Sequence, residues 1–202
     1  MTLYTWVVSA CWVVFIIYWI VAAVGSKKTL NSFGVRSWFV SRIVLVVVLV
    51  LAFSNQAVRD GMKYQPGVAT PGLAALGALL AIIGIGLAVW ARTYLGRNWG
   101  MPQSVKEKPE LVTTGPYSYI RHPIYTGVLL AMLGTGLATS ALWFLIFVIG
   151  GGYFIYSAFQ EEKLMVKTFP DTYPAYKART KMLIPFISVS YTHLTLPTIL
   201  LV

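Results

Sequence analysis

Residues 124–159 read IYTGVLLAMLGTGLATSALWFLIFVIGGGYFIYSAF, a block of 36 residues without a charged side chain. A single α-helix of this length would extend about 54 Å, well beyond the roughly 30 Å of a bilayer's hydrocarbon core. The block is therefore predicted to fold back on itself near Thr139 and Ser140. Each arm then has about 16 residues, or about 24 Å, so this predicted helical hairpin barely crosses the membrane.

The composition of the whole chain agrees with membrane insertion. Of the 202 residues, 57% are hydrophobic and only 11% are charged, and the mean hydropathy is +0.72. A soluble domain carries about 25% charged residues, so a soluble globular fold is excluded, and so is a disordered chain. The single cysteine, Cys11, permits no intrachain disulfide. The sequence predicts an all-α integral membrane protein.

Three further apolar runs predict membrane-spanning helices, which gives about five with the two arms of the hairpin. They cover residues 3–24, 38–58 and 73–95. No basic segment precedes the first run, so we expect a membrane span there rather than a cleavable signal. In the third run, Gly77, Gly84 and Gly86 are predicted to be positions at which helices pack closely.

The charge pattern predicts the orientation in the membrane. The net charge is +10, from 16 Lys and Arg against 6 Asp and Glu. The basic residues lie in short loops between apolar runs, which is typical of cytoplasmic loops that touch anionic lipid, and we expect no nucleic acid as a partner. Five helices with the N-terminus outside place the strongly basic segments, including 96–123 and the region after Phe159, in the cytoplasm.

The chain is expected to divide into three parts. Residues 1–60 hold two N-terminal membrane helices. Residues 61–187 form a core of the third helix, a polar loop, the hairpin and a C-terminal helix. Residues 188–202 are uncharged and rich in Thr and Leu. We expect this last stretch to be an extraneous tail, so His193 is left out of the candidate site.

Ionisable residues flank the apolar block on both sides. Arg121 and His122 stand before it, and Glu161 and Glu162 follow it. Because the block enters the membrane and returns, the two acids and the two bases are predicted to meet at one membrane surface, over a partly buried pocket. Polar groups placed in this way indicate a functional site.

Each of these residues also has a simpler interpretation. His122 alone is typical of an interfacial histidine, and the two acids alone are typical of a solvated helix end. Gly115 and Pro116 fit an ordinary turn. Metal binding is not expected, because no second His or Cys has ligand spacing. A Ser or Cys nucleophile with a neighbouring His and acid is not visible either.

Taken together, the motifs resemble those of the isoprenylcysteine carboxyl methyltransferase and phospholipid methyltransferase families. The resemblance covers about residues 95–187, which would then belong to a methyltransferase core. The motifs that carry it are Arg121-His122-Pro123-x-Tyr125-x-Gly127, Glu161-Glu162, Tyr173-x-x-Tyr176-x-x-Arg179-Thr180 and Ile184-Pro185-Phe186.

The resemblance implies S-adenosylmethionine as cofactor, held between the loop before the hairpin and the helix after it. The residues to which it assigns cofactor binding are Leu111, Val112, Tyr117, His122, Pro123, Ile124, Tyr125 and Glu162. The first three would line the adenosine side, and Glu162 would bind a polar end. Aromatic faces suit both an adenine ring and a sulfonium cation, and an acid suits ribose hydroxyls or an ammonium group.

The resemblance also implies a lipophilic methyl acceptor that enters from the bilayer, with the carboxylate of an isoprenylcysteine-like substrate favoured. Eukaryotic prenylcysteine enzymes carry an Arg one turn before the second Glu, where this chain has Ala158. Arg179 or Arg121 is the candidate to orient an anionic acceptor instead. A phospholipid amine would need a base, for which Glu161 is the candidate. A sterol-type membrane reductase and a non-enzymatic scaffold or transporter are the alternatives.

Overall fold

The computed structural model describes residues 2–24, 29–31, 70–99, 105–140 and 142–183. Five α-helices lie in these ranges: α1 (Leu3–Val24), α2 (Pro71–Leu95), α3 (Pro123–Ala138), α4 (Leu142–Thr168) and α5 (Tyr173–Arg179). A short antiparallel ribbon pairs β1 (Thr29–Asn31) with β2 (Val105–Lys106). The all-α prediction is confirmed for the architecture as a whole.

Among the described residues, three helices are long and apolar enough to cross a membrane. They cover Leu3–Ala23, Pro71–Asn98 and Leu142–Thr168. The predicted span at 38–58 lies outside the described residues, as do the Ile184-Pro185-Phe186 motif and the tail at 188–202. The total of about five membrane helices and the three-part division of the chain therefore stay predictions.

Helix α2 begins and ends close to the predicted bounds, for local reasons. Thr70 caps its start, because the hydroxyl accepts the Leu73 N–H at 3.4 Å, and Pro71 occupies the first turn, where no N–H is needed. Gly96 caps its end with a positive φ of 51° and donates its N–H to the Arg92 carbonyl.

The long apolar block is broken where the sequence predicts. Helix α3 ends at Ala138 and α4 begins at Leu142, with the Ser140 hydroxyl accepting the Leu142 N–H at 3.3 Å. The first arm has the expected 16 residues, but the predicted length of the second was wrong. Helix α4 has 27 residues, about 40 Å, because it continues through the acids and basic residues that follow the apolar block.

Glycines hold α2 and α3 at close range. A Cβ on Gly84 would lie 2.5 Å from the Gly127 carbonyl, and one on Gly77 would lie 2.5 Å from the Gly134 carbonyl. The predicted packing role is confirmed for these two glycines of α2. For Gly86 no packing partner is found among the described residues, and the predicted span at 38–58 lies outside them, so its packing role stays a prediction.

Helix α1 packs on this pair near the middle of its length. The Trp12 indole N–H donates to the Thr135 hydroxyl of α3 at 2.9 Å, and Val8 is buried against Ala78 and Ala81 of α2. The three helices therefore form one bundle. The end of the bundle at which α1 and α2 have their C-termini borders the candidate site.

Candidate active site

The loop before α3 turns sharply at Gly115. This residue has a φ of +60°, and a Cβ there would lie 2.5 Å from the Tyr94 ring, so glycine is required on both grounds. The following single 3₁₀ turn buries Tyr117, whose carbonyl accepts the Tyr176 hydroxyl at 2.7 Å. Burial raises the pKa of Tyr176 to about 12, so this phenol stays a hydrogen-bond donor at neutral pH.

The end of the described chain pairs with this loop. Ile120 and Lys181 form a parallel bridge, in which Arg121 N–H donates to the Lys181 carbonyl at 2.8 Å and His122 N–H donates to the Met182 carbonyl at 3.1 Å. These bonds fix the backbone of the two bases. We name residues 180–183 the C-terminal strap.

Glu162 is the centre of a buried ionic cluster. It is 3% exposed, with Arg121 Nε 2.6 Å from Oε1 and Lys177 Nζ 2.7 Å from Oε2. The same Arg121 side chain donates to the Thr180 carbonyl. This carboxylate thus joins the loop, α4 and α5, and both of its oxygens are engaged within the protein.

Glu161 contacts the first turn of α3. The Tyr125 hydroxyl donates to its Oε1, and His122 Nδ1 lies 3.5 Å from its Oε2. The Tyr125 and His122 rings are stacked, with centroids 5.5 Å apart and planes 6° apart. The structure therefore brings together the two acids and the two bases that flank the apolar block.

A cavity of about 430 Å³ opens beside Glu161. Most of the predicted site residues line it, namely Leu111, Val112, Tyr117, Arg121, His122, Ile124, Tyr125 and Glu161. Of the described residues that line it, nine are Phe, Trp or Tyr, and Glu110 adds a second carboxylate. Within the described ranges, no group of three His, Cys, Asp or Glu could hold a metal ion.

Three predicted site residues do not line this cavity. Pro123 is fully buried as the first residue of α3, and Glu162 lies behind Glu161 in the ionic cluster. Arg179 is exposed, and its guanidinium lies 5.9 Å from the centroid of the Tyr176 ring. The structure thus places Arg179 apart from the group formed by Arg121 and Glu161.

Several lining residues were missed from the sequence. Phe15 and Trp19 come from α1, which has no polar motif to mark it, and Trp99 and Glu110 lie on either side of β2, where no motif marks them. Phe154 packs against Tyr125, with ring centroids 4.7 Å apart and planes tilted by 34°. A usable signal exists in α4, because Phe154 lies seven residues before Glu161, two helical turns away on the same face.

The electrostatics of His122 favour the protonated imidazole. Burial alone would lower the pKa of this side chain, since it disfavours the charged form, but the neighbouring carboxylates of Glu161 and Glu162 outweigh burial. The pKa of His122 is therefore raised above its ordinary value of 6.5. His122 Nε2 lies 3.7 Å from Glu162 Oε1, so the imidazolium stands between the two acids.

This raised pKa predicts a loss of thermal stability as the pH increases. The folded protein binds the proton more tightly than the unfolded chain, so the contribution is fully present below about pH 6.5 and disappears as the pH passes the folded pKa. We expect the melting temperature in detergent to fall over this window. His193 contributes equally to wild type and to His122→Gln, so subtracting one curve of melting temperature against pH from the other isolates His122. Parallel curves for the two proteins would contradict the raised pKa of His122.

Comparison with known proteins connects this chain to methyl transfer. The model of the phospholipid methyltransferase family matches residues 73–172, from α2 through α4. The chain is 30% identical over 168 residues to the cobalt-zinc-cadmium resistance protein CzcN of Cupriavidus metallidurans, which covers 82% of this chain and 71% of that protein. It is 28% identical over 170 residues to the nickel-cobalt-cadmium resistance protein NccN of Alcaligenes xylosoxydans xylosoxydans, covering 83% and 73%.

Two further similarities concern methyltransferases by name. Over 81 residues, 40% of this chain and 31% of the other, the chain is 31% identical to methanethiol S-methyltransferase of a Pseudomonas species. Its fold matches the eukaryotic intramembrane Ras methyltransferase ICMT with a TM-score of 0.54 at 23% identity, covering 78% of this chain and 55% of that structure's chain. The protein therefore belongs to the phospholipid methyltransferase family of integral membrane methyltransferases.

Proposed function

We propose that the protein methylates a lipophilic acceptor with S-adenosylmethionine as methyl donor. The family to which it belongs generally uses this donor. The observation that carries the proposal is the aromatic cavity beside Glu161, whose carboxylate is held by Tyr125 and His122. When bound, S-adenosylmethionine supplies an electrophilic methyl group on a sulfonium centre.

The cavity fits this cofactor in size and chemistry. Its volume of about 430 Å³ lies within the range of about 300–1,000 Å³ for small-molecule sites. Nine aromatic side chains provide faces for an adenine ring and for a cation. The carboxylates of Glu110 and Glu161 can accept hydrogen bonds from ribose hydroxyls or an ammonium group.

We assign the cofactor contacts from these positions. Leu111, Val112 and Tyr117 would line the adenosine side, and the stacked pair of His122 and Tyr125, with Ile124 beside them, would form the opposite wall. For the polar end we propose Glu161, which lines the cavity, in place of Glu162. Both oxygens of Glu162 already accept from Arg121 and Lys177, so this acid and Pro123 support the site from behind.

The charges of the cavity favour a methyl acceptor that must be deprotonated, such as an amine, over an acceptor that is already a carboxylate. Among the described lining residues, the cations are Arg121 and His122, and Arg121 is taken up by Glu162 and the Thr180 carbonyl. A carboxylate acceptor would meet Glu161 without an available guanidinium. An amine could instead give its proton to Glu161. We therefore propose an amine-bearing lipid as acceptor and keep the isoprenylcysteine-like carboxylate as the alternative.

The route to the cavity follows from the membrane setting. We propose that the cofactor enters from the cytoplasm, because the basic loops predict that this end of the bundle faces inward. The acceptor would move in from the bilayer between helices, whose outer faces carry exposed Leu, Ile and Val side chains.

Binding of S-adenosylhomocysteine to detergent-purified protein tests the proposal by calorimetry. We expect micromolar affinity for wild type and about tenfold weaker binding for Tyr125→Phe and Glu161→Gln, since each removes a hydrogen bond to a charged group. Tyr119→Phe is the matched control, because Tyr119 is 68% exposed and does not line the cavity. No binding by folded wild type, in detergent and in nanodiscs, overturns the proposal in favour of a scaffold or a reductase.

The acceptor class is tested with the methyl-labelled cofactor. Transfer to an amine headgroup lipid supports the amine if, with the cofactor at saturating concentration, the Glu161→Gln variant still loses kcat. Transfer to a prenylcysteine, with no label on amine lipids, would replace the amine by the carboxylate.

A further inference from the structure

Arg92 is a buried cation at the last turn of α2. It is 3% exposed, and its guanidinium reaches two backbone carbonyls, with Nη1 2.6 Å from the Gly96 oxygen and Nη2 2.7 Å from the Ala22 oxygen. Neither contact involves the motifs that identify the family. The family motifs therefore do not explain why a cation is buried at this position.

The two carbonyls explain why a cation is tolerated there. Ala22 lies in the last four residues of α1, where carbonyls have no partner within the helix, and Gly96 is the residue that caps α2. Both helix ends carry partial negative charge. One guanidinium thus caps two helices at once and ties their ends together.

The same side chain holds an aromatic wall of the cavity. The Arg92 guanidinium lies 4.8 Å from the centroid of the Trp99 ring, in the geometry of a cation–π contact. Trp99 in turn meets Trp19 of α1 edge to face, with centroids 6.2 Å apart and planes at 90°. Both tryptophans line the cavity, whereas Arg92 does not.

We propose that Arg92 is a positioning residue for the cofactor site, which fixes the wall formed by Trp19 and Trp99 by capping α1 and α2. This inference rests on the proposed function of the cavity. If the inference holds, α1 contributes to the cofactor site, although the sequence of this helix is a generic apolar run. Arginine is suited to this task because its planar fork serves two acceptors and a ring face together, whereas the ammonium of lysine is a single point.

Two substitutions and one control test the proposal. Arg92→Lys keeps the charge but not the fork, and Arg92→Met removes both. Thr135→Val is the control, because it breaks a different contact of α1, the bond from Trp12, at residues that do not line the cavity, and it leaves the number of tryptophans unchanged. We would measure calorimetric binding of S-adenosylhomocysteine, the KM and kcat for the methyl donor, and acrylamide quenching of tryptophan fluorescence without ligand.

The expected pattern separates positioning from general destabilisation. Arg92→Met should bind S-adenosylhomocysteine about tenfold more weakly, and its KM for the methyl donor should rise in proportion. Its kcat at saturation should stay within about twofold of wild type, and its tryptophan fluorescence should be quenched more. Arg92→Lys should be intermediate in each measurement. Thr135→Val should bind the ligand and be quenched as wild type is. If Arg92→Met does not fold, Arg92→Lys alone tests the proposal. Wild-type affinity and wild-type quenching in the lysine variant would overturn it. If wild type itself fails to bind, the proposed function has failed, and unchanged quenching in the variants would refute the positioning role separately.

Discussion

Glu162→Gln is expected to lower the free energy of unfolding by about 3–5 kcal/mol, the usual cost of removing one partner from a buried ionic cluster. The glutamine keeps the shape of the side chain but leaves Arg121 without its carboxylate, and Arg121 is itself buried beside the cavity. The loop that carries His122 would lose its attachment to α4. Thermal unfolding in detergent measures the loss, and binding of S-adenosylhomocysteine should weaken with it.

Lys177→Met is the matched control for this prediction. Lys177 contacts the same carboxylate at 2.7 Å, but its side chain is 48% exposed, so the ion pair should contribute only about 0–1 kcal/mol. A large loss in Glu162→Gln with a small one in Lys177→Met fits a cluster built around Arg121. Equal effects in the two variants would show instead that the pair with lysine dominates.

Gly84→Ala is expected to destabilise the bundle by about 3 kcal/mol, at the upper end of the cost of overpacking. The added methyl would lie 2.5 Å from backbone atoms of Gly127 and Ala131, which cannot rotate away as a side chain can. Helices α2 and α3 would have to separate. Resistance to unfolding by sodium dodecyl sulfate, followed by circular dichroism, would report the loss.

Gly86→Ala provides the comparison two residues away. No heavy atom of the described residues lies within 4 Å of a Cβ at this position, so the variant should be unchanged or stabilised by up to about 1 kcal/mol through helix propensity. If both alanine variants behave alike, close packing at Gly84 does not limit the stability of the bundle.

Some features of the fold could be predicted because they follow from length and polarity alone. An uncharged block of 36 residues is too long for one crossing, which placed the break near Thr139, and a return path brings Glu161 back to His122. Thr70 and Pro71 are recognisable as the start of a helix. Which glycines pack against α3 could not be predicted, because Gly84 and Gly86 are equally small and only the rotation of α2 in the bundle distinguishes them.

The finer assignment of the site depended on contacts that no local pattern records. Neighbouring acids on a helix point about 100° apart, so one of Glu161 and Glu162 was bound to face the cavity and the other to face away, but the sequence does not say which. Arg179 has the charge to orient an anion, yet it lies on the exposed side of α5. In the sequence, Phe15 and Trp19 of α1 cannot be distinguished from aromatic residues that face lipid. Only the packing of α1 against α2 and Arg92 shows that they line the cavity.

The C-terminal strap also sets an order of events during biosynthesis. The backbone partners of Arg121 and His122 are Lys181 and Met182, some sixty residues later in the chain. Helices α1 to α3 can insert as they leave the ribosome, since chains are made from the N-terminus onward. The loop that carries Arg121 and His122 is held in place only after the strap has been synthesised, so a nascent chain would carry an assembled membrane bundle well before its candidate site is complete.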